Sequence, residues 1–415
     1  MAHAVLLLHY AAPPVVGGVE QTLAHHARHL LAAGWQVHMA AGRGGPDLPG
    51  LHFHLEPRFD SRHPQVLAVQ QALAQGRVPP AFEALRNALR AALAPLVAQV
   101  QVIVAHNVVT LHKNLALTAA LHDLATRPDG PRLVAWCHDF AWADELYRPA
   151  LHPGFPWDLL RTPWPRTRYV AVSEPRAATL AALLGLPRPA IAVVPPGVDP
   201  AAFYKLEPLT QALVQQLNLW QAEPLLLLPA RITRRKNIGF ALRVLAALRE
   251  AFPRARLVVT GPPGPHNPAN QAYLAELLRE RADLGLERHA HFLYQHGPGG
   301  RPLHLPPEVV ADFYRLADVL LFPSRREGFG IPVLEAGLAR LPAFVADLPE
   351  LRAAGGPFVD AFFSPDEPPQ TVAARIARRL ETDLPYRQKR RVLTHFRWAH
   401  IVQTQVLPLL QEALS

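Results

Sequence analysis

Two glutamates, Glu327 and Glu335, frame the stretch of this chain best suited to chemistry. Asp318–Glu335 reads DVLLFPSRREGFGIPVLE, with Gly328, Phe329 and Gly330 directly after the first acid. The apolar run ending at Phe322 reads as a buried strand, and Pro332 suits the first turn of a helix. The glycines leave the intervening backbone uncovered, so amides at a helix N-terminus can approach an anion or a sugar hydroxyl. Glu335, set between Leu334 and Ala336, needs a partner if it faces inward. A second stretch, Leu225–Asn237, reads LLLLPARITRRKN and ends an apolar run in the cations Arg231, Arg234, Arg235 and Lys236. Asn237 is placed to cap the next helix. Positive charge there suits a diphosphate and would offset charge on a departing phosphate. A solvated basic loop would read the same way; its register with the first stretch favours a site.

Three further stretches are weaker. Val15–Glu20, VVGGVE, puts Gly17 and Gly18 where a first strand turns into a first helix, so a ligand could come close to the backbone. An ordinary strand-to-helix turn explains them equally well. Val134–Asp139, VAWCHD, sets His138 and Asp139 just after a strand, where a histidine could hydrogen-bond substrate. With 21 histidines in the chain, a structural histidine is the plainer reading. Cys137 has no base beside it and reads as a buried thiol. Arg168–Glu174, RYVAVSE, is a strand running into a helix capped by Ser173.

The elements that must hold these residues alternate along the chain. Strands are expected at Ala4–Leu8, Gln36–Ala40, Leu51–Leu55, Gln101–Ala105, Arg132–Trp136, Tyr169–Val172 and Ala190–Val194. A second series is expected at Leu225–Pro229, Arg256–Thr260, His291–Tyr294, Val319–Phe322 and Ala343–Val345. Helical periodicity fills the gaps at Glu20–Leu31, Leu111–Leu124, Ile238–Glu250 and Asn270–Asp283. Such alternation predicts α/β architecture with mostly parallel, doubly wound sheets. Two series predict two Rossmann-like domains, residues 1–200 and 201–395, facing a central cleft. Residues 43–99 read as an elaboration of the first domain, with one strand and two helices. Residues 396–415 read as an amphipathic helix that returns to the first domain.

Bulk composition narrows the classes. The chain has 415 residues, enough for two cores, and a single cysteine, which excludes an intramolecular disulfide and fits a reducing cytoplasm. The apolar N-terminal run is short and lacks a basic flank, so it reads as a strand and not a signal peptide. No run approaches the ~20 apolar residues of a membrane span. The formal charge is +9, carried almost wholly by arginine. A solvated basic surface is the plain reading, with phosphate-bearing substrates second. No nucleic-acid-binding signature accompanies the charge.

Together the stretches GGVE, HD, VSE, PPGVD, PARITRRKN and ADVLLFPSRREGFGIPVLEAG resemble the retaining family-4 glycosyltransferases of the GT-B fold. EGFGIPVLE is similar to that family's Glu-x7-Glu signature. The resemblance implies transfer of a hexosyl unit from a nucleoside-diphosphate sugar to an acceptor hydroxyl. Glu327 would touch donor-sugar hydroxyls, Gly328, Phe329 and Gly330 would hold sugar and diphosphate, and Glu335 would bind the ribose. Arg231 and Lys236 would stabilise the leaving diphosphate, Gly17 and Gly18 would approach it from the other domain, and His138 would contact the sugar. The chain departs from the family at Arg340, where many relatives carry glycine before the proline.

No Asp-x-Asp and no metal-ligand spacing occurs in the sequence, so no essential metal and no cofactor beyond the nucleotide sugar is expected. The acceptor is left open between a small molecule, a glycan and a lipid, the last with peripheral docking at the inner membrane face; oligomeric state is not read. One rival is a non-catalytic sugar-nucleotide-binding protein of the same fold. Another is an NAD-dependent oxidoreductase, resting on Gly42-Arg43-Gly44-Gly45. That turn follows the second strand and has Asp47 where the dinucleotide fingerprint needs its third glycine.

Overall fold

The computed structural model describes residues 3–265 and 267–414. They form two compact units, Met1–Val198 with Phe396–Ser415, and Asp199–His395. Among the described residues the first unit holds β1 (Ala4–Leu8), β2 (Gln36–Ala41), β3 (Leu51–Leu55), β4 (Val102–His106), β5 (Arg132–Cys137), β6 (Thr167–Ala171) and β7 (Ile191–Val193). They pair in the order β3-β2-β1-β4-β5-β6-β7, all parallel. The second unit holds β8 (Leu225–Leu228), β9 (Arg256–Val259), β10 (Ala290–Phe292), β11 (Val319–Phe322), β12 (Ala343–Ala346) and β13 (Ala361–Phe363). Their order is β10-β9-β8-β11-β12-β13, again parallel. The expected α/β class with two Rossmann-like sheets is the one observed. Central strands such as AVLLL and VLLF are buried along their whole length, because helices cover both faces of each sheet.

Strand order locates the crevices. In each sheet the order reverses between the first and fourth strands, β1 beside β4 and β8 beside β11. Ligands of open parallel sheets bind beyond the carboxyl ends of the strands at such a reversal. The two principal sequence stretches follow β8 and β11.

Expected strands lie within a few residues of the observed ones, but β13 was not expected. It is three residues long, AFF at the sheet edge, too short to show a period. The helix expected over Leu111–Leu124 begins instead at Leu115, because Asn114 caps it: its Oδ1 accepts from the Leu117 amide at 3.1 Å. Asn237 does not cap with its side chain. It sits at φ 53°, ψ 43°, in the left-handed region the turn requires, and its side chain bonds nothing there. Residues 43–99 contribute edge strand β3 and the helices Pro64–Leu73 and Pro80–Val97. The longer helix buries Leu85, Leu89 and Leu93, and Arg86 grips Asp123 of the neighbouring helix at 2.5 Å.

The C-terminal segment belongs to the first unit. Trp398, Ile401, Val402, Val406 and Leu410 pack under one face of the sheet with Val5, Leu7 and Val134. The helix widens into a π turn over Val402–Val406. Pro408 has no amide to donate back to the preceding turn, which accounts for the interruption.

Two predictions follow from packing and backbone. Leu410 is fully buried, so Leu410→Ala should cost about 2–5 kcal/mol in denaturant unfolding; a loss under half a kcal/mol would mean the tail is not core. Arg340 stands at φ 55°, where a side chain is strained and glycine is not. Arg340→Gly should therefore stabilise the protein by roughly 1 kcal/mol, read as a raised melting temperature.

Candidate functional site

The second unit brings Lys236 and Glu327 together. Lys236 closes the short turn Arg234–Lys236 after β8, and Glu327 lies in the loop after β11. Lys236 Nζ donates to Glu327 Oε1, and both side chains are nearly out of solvent. The ammonium also lies 4.6 Å from the ring centroid of Phe322, the last residue of β11. Burial pulls the Lys236 pKa down, and Glu327 opposes that shift. Arg235 ties the loops further. Its Nη1 donates to the Arg326 carbonyl at 3.1 Å and reaches Glu327 Oε2 at 3.4 Å, while its own carbonyl accepts from the Arg325 amide at 2.8 Å.

This arrangement sorts the four cations. Lys236 and Arg235 share Glu327, and Arg234 pairs with Glu276 at 2.6 Å. Arg231 is exposed and makes no ion pair among the described residues. Three buried polar atoms beside the pair have no partner: Thr233 Oγ1, Asn237 Nδ2 and Ser324 Oγ. Each such group costs about 1–3 kcal/mol.

The glycines divide by what fills the space beside them. A Cβ on Gly330 would strike Leu351 Cδ2 at 2.5 Å, and its φ of 106° suits only glycine. A Cβ on Gly328 would meet nothing within 4 Å, so no neighbour in this unit explains its missing side chain. Phe329 between them is half exposed. Pro332 occupies the first turn of the helix Ile331–Leu338, as the sequence suggests. Glu335 does not face inward. It is exposed on that helix and takes a 2.5 Å hydrogen bond from the Tyr314 hydroxyl. It bonds neither Lys236 nor Arg231.

In the first unit Gly17 precedes the helix Gly18–Ala32 that follows β1. A Cβ on Gly17 would collide with the Glu20 carboxylate at 2.2 Å, whereas one on Gly18 would meet nothing within 4 Å. His138 follows β5. Its amide and that of Asp139 are both accepted by Asn107 Oδ1, at 2.7 and 3.2 Å. Asn107 itself has φ 60°. His138 Nε2 lies 3.3 Å from His106 Nδ1 at the end of β4, and His9 Nδ1 lies 2.8 Å from the His106 carbonyl. His26 reaches the same cluster from the helix and packs edge-on against Trp136 at 4.6 Å. The NAD rival loses its glycines to packing: a Cβ on Gly42 would meet the Asp60 amide at 1.8 Å, and one on Gly44 the Ala12 carbonyl at 2.3 Å.

Sequence reasoning missed Tyr314, Ser324, Asn107 and three of these four histidines. Two of the three left a signal, since LLLH and VIVAH end an apolar run in histidine as VAWCH does at His138, whereas His26 lies mid-helix. Twenty-one histidines obscured it.

Residues 16–202 match the family model "Glycosyltransferase Family 4", and residues 210–393 match "Glycosyl transferases group 1". Each half of the chain therefore matches a glycosyltransferase family model. It is 32% identical over 190 residues to a D-inositol 3-phosphate glycosyltransferase of Nocardia farcinica, covering 45% of this chain and 39% of that protein. It is 28% identical over 173 residues to a GDP-mannose-dependent alpha-(1-6)-phosphatidylinositol monomannoside mannosyltransferase of Mycolicibacterium smegmatis, covering 41% of each. The chain thus spans less than half the length of these curated relatives. Among solved structures, the Anabaena HepE complex with UDP and glucose is 18% identical, with a TM-score of 0.34 over 98% of this chain and 99% of that one. No helix is long and apolar enough to cross a membrane, among the described residues.

The histidine cluster carries a pH prediction. Burial, then His138, His25 and His29, push His26 down to about 3; burial, then His9, push His138 down to about 4. Their folded-state values lie below the ordinary 6.5, so below that pH the unfolded chain binds protons that the folded chain does not. Stability is therefore lost as pH falls from 6.5 towards 4, by up to about 1.4 kcal/mol per pH unit for each group. His26→Phe should flatten the fall of melting temperature between pH 7 and 4.5. An unchanged slope would show that His26 does not titrate this way.

Proposed function

We propose that this protein transfers a hexosyl unit from a nucleoside-diphosphate sugar to an acceptor hydroxyl, with retention of configuration and without a metal. The observation that carries this reading is the Lys236–Glu327 pair joining the loops after β8 and β11, loops that also carry the exposed Arg231 and the uncrowded Gly328. The family matches run the same way.

A leaving diphosphate develops charge as the bond from the anomeric carbon to the phosphate oxygen lengthens. Arg231 and Lys236 supply fixed positive charge for it, and the amides of Gly328 to Gly330 supply donors. Glu327 has two jobs in this scheme. One oxygen holds the ammonium of Lys236 in place, and the carboxylate is offered to donor-sugar hydroxyls. Glu335 binds the ribose. His138 and the Gly17–Gly18 turn are the first unit's contributions, to sugar and phosphate respectively. His138 stays neutral near pH 7, so it acts there as a hydrogen-bonding group and not as a cation. The acceptor oxygen bonds to the anomeric carbon on the face the phosphate leaves, and its proton passes to a phosphate oxygen. No side-chain base is needed for that balance. Neutralisation by side chains does the work that a divalent ion does elsewhere.

The acceptor is a small molecule, a glycan or a lipid. Relatives named for inositol phosphate and phosphatidylinositol mannoside acceptors make an anionic polyol the first class to assay.

Hydrolysis or transfer should be followed with UDP-, GDP- and ADP-hexoses in excess EDTA, with the anomer of the product read by NMR. Release of one nucleoside diphosphate, undiminished by EDTA and giving a product with the donor's anomeric configuration, is expected. Arg231→Ala should lower kcat by roughly 10²–10³. Full activity of both Glu327→Gln and Glu335→Gln would remove these acids from the site.

A further inference from the structure

Glu335 borders a pocket of about 510 Å³ lined by Leu305, Val310, Tyr314, Leu338 and Ala339. Its walls are apolar apart from three side chains. Arg315 is one, and it is held by Asp312 and by the Tyr204 carbonyl, the latter at 2.9 Å. The other two are Tyr314 and Glu335, joined to each other. Tyr314 belongs to the helix Pro307–Leu316, which precedes β11, and is almost wholly buried, so its ring cannot swing. Its hydroxyl donates to Glu335 Oε2. Burial and the adjacent carboxylate both raise the phenol pKa, so Tyr314 is always the donor.

A glutamate on an exposed helix face ordinarily samples several rotamers. Here one oxygen is pinned by a rigid donor from a neighbouring helix, and the remaining lone pairs are fixed in direction. A carboxylate so fixed can accept from two adjacent hydroxyls at once.

We propose that Tyr314 is the positioning residue through which Glu335 reads a ribose, and that this pair makes the pocket select ribonucleoside over 2′-deoxyribonucleoside diphosphates. The inference rests on the reading of Glu335 as the ribose ligand and adds to it the residue that gives that glutamate its selectivity. A site that accepts a bond from a substrate hydroxyl rejects the analogue lacking it, because the carboxylate is left unpaired. A mobile carboxylate would reorient towards water and lose much of that discrimination.

The test begins with UDP, GDP, ADP and CDP, each titrated calorimetrically into the purified protein. The diphosphate that binds is then compared with its 2′-deoxy counterpart on wild type, Tyr314→Phe, Glu335→Gln and the double variant. Wild type should favour the ribonucleotide by at least about tenfold. Tyr314→Phe should bring the two affinities within about threefold, with its melting temperature little changed, and the double variant should bind no worse than Glu335→Gln alone. Tyr314→His, which keeps a ring donor, should recover part of the selectivity. A purely structural tyrosine would lower stability and leave the ratio alone. Full selectivity in Tyr314→Phe, with selectivity lost in Glu335→Gln, would overturn the proposal while sparing Glu335. Full selectivity in both variants, or no binding of any of the four diphosphates, would overturn the reading of Glu335 and the proposal with it.

Discussion

A lysine and a glutamate are held against each other, nearly out of water, where the loops after β8 and β11 meet. Removing two charges from solvent costs several kcal/mol per ion, and their attraction returns that only when the geometry is good and other lone pairs are satisfied. Lys236 and Glu327 meet the condition through neighbours. Phe322 lies under the ammonium, Arg235 approaches the second carboxylate oxygen, and backbone bonds join the two loops. The pair needs β8 and β11 side by side, which the reversal of strand order provides. Well-packed apolar residues in place of a buried ion pair are often at least as stable. Retaining charge, with Thr233, Asn237 and Ser324 unpartnered beside it, is understandable if a polar ligand completes the network.

The first unit uses the same topological position differently. Where the second unit gathers cations, the first gathers histidines at the ends of β1, β4 and β5, and keeps them neutral by burial. A neutral face suits hydroxyl groups better than phosphates. The open space at Gly18 fits close approach of a ligand to a helix N-terminus, as does that at Gly328 in the other unit. Of the two other glycines, Gly330 is required by its positive φ and by Leu351, and Gly17 faces the movable Glu20 carboxylate.

Much of the fold was legible because buried parallel strands are short apolar runs alternating with longer helical patterns. β13 was not, since three residues at an edge carry no pattern. The helix start at Leu115 was obscured because Leu111 continues the apolar period, and only the Asn114 cap decides the boundary. Of the site, Glu327, Lys236 and the glycines could be found by position after a strand. Their contact could not, because it depends on β8 and β11 being neighbours though far apart in sequence. Glu335 showed as an acid in an apolar run, but its partner comes from the preceding helix, and nothing in YRLAD announces a hydrogen bond. Arg340 marked a departure from the family resemblance, and its positive φ is one that glycine adopts without strain.

The central claim is that a nucleoside diphosphate is held at the β8/β11 reversal of the second sheet. Amide hydrogen exchange, with and without a saturating nucleoside diphosphate, addresses it most directly. The account predicts slowed exchange concentrated in residues 229–237 and 323–335. Protection confined to the Gly42–Gly45 turn, or binding that leaves both loops of the second unit unprotected, would contradict it.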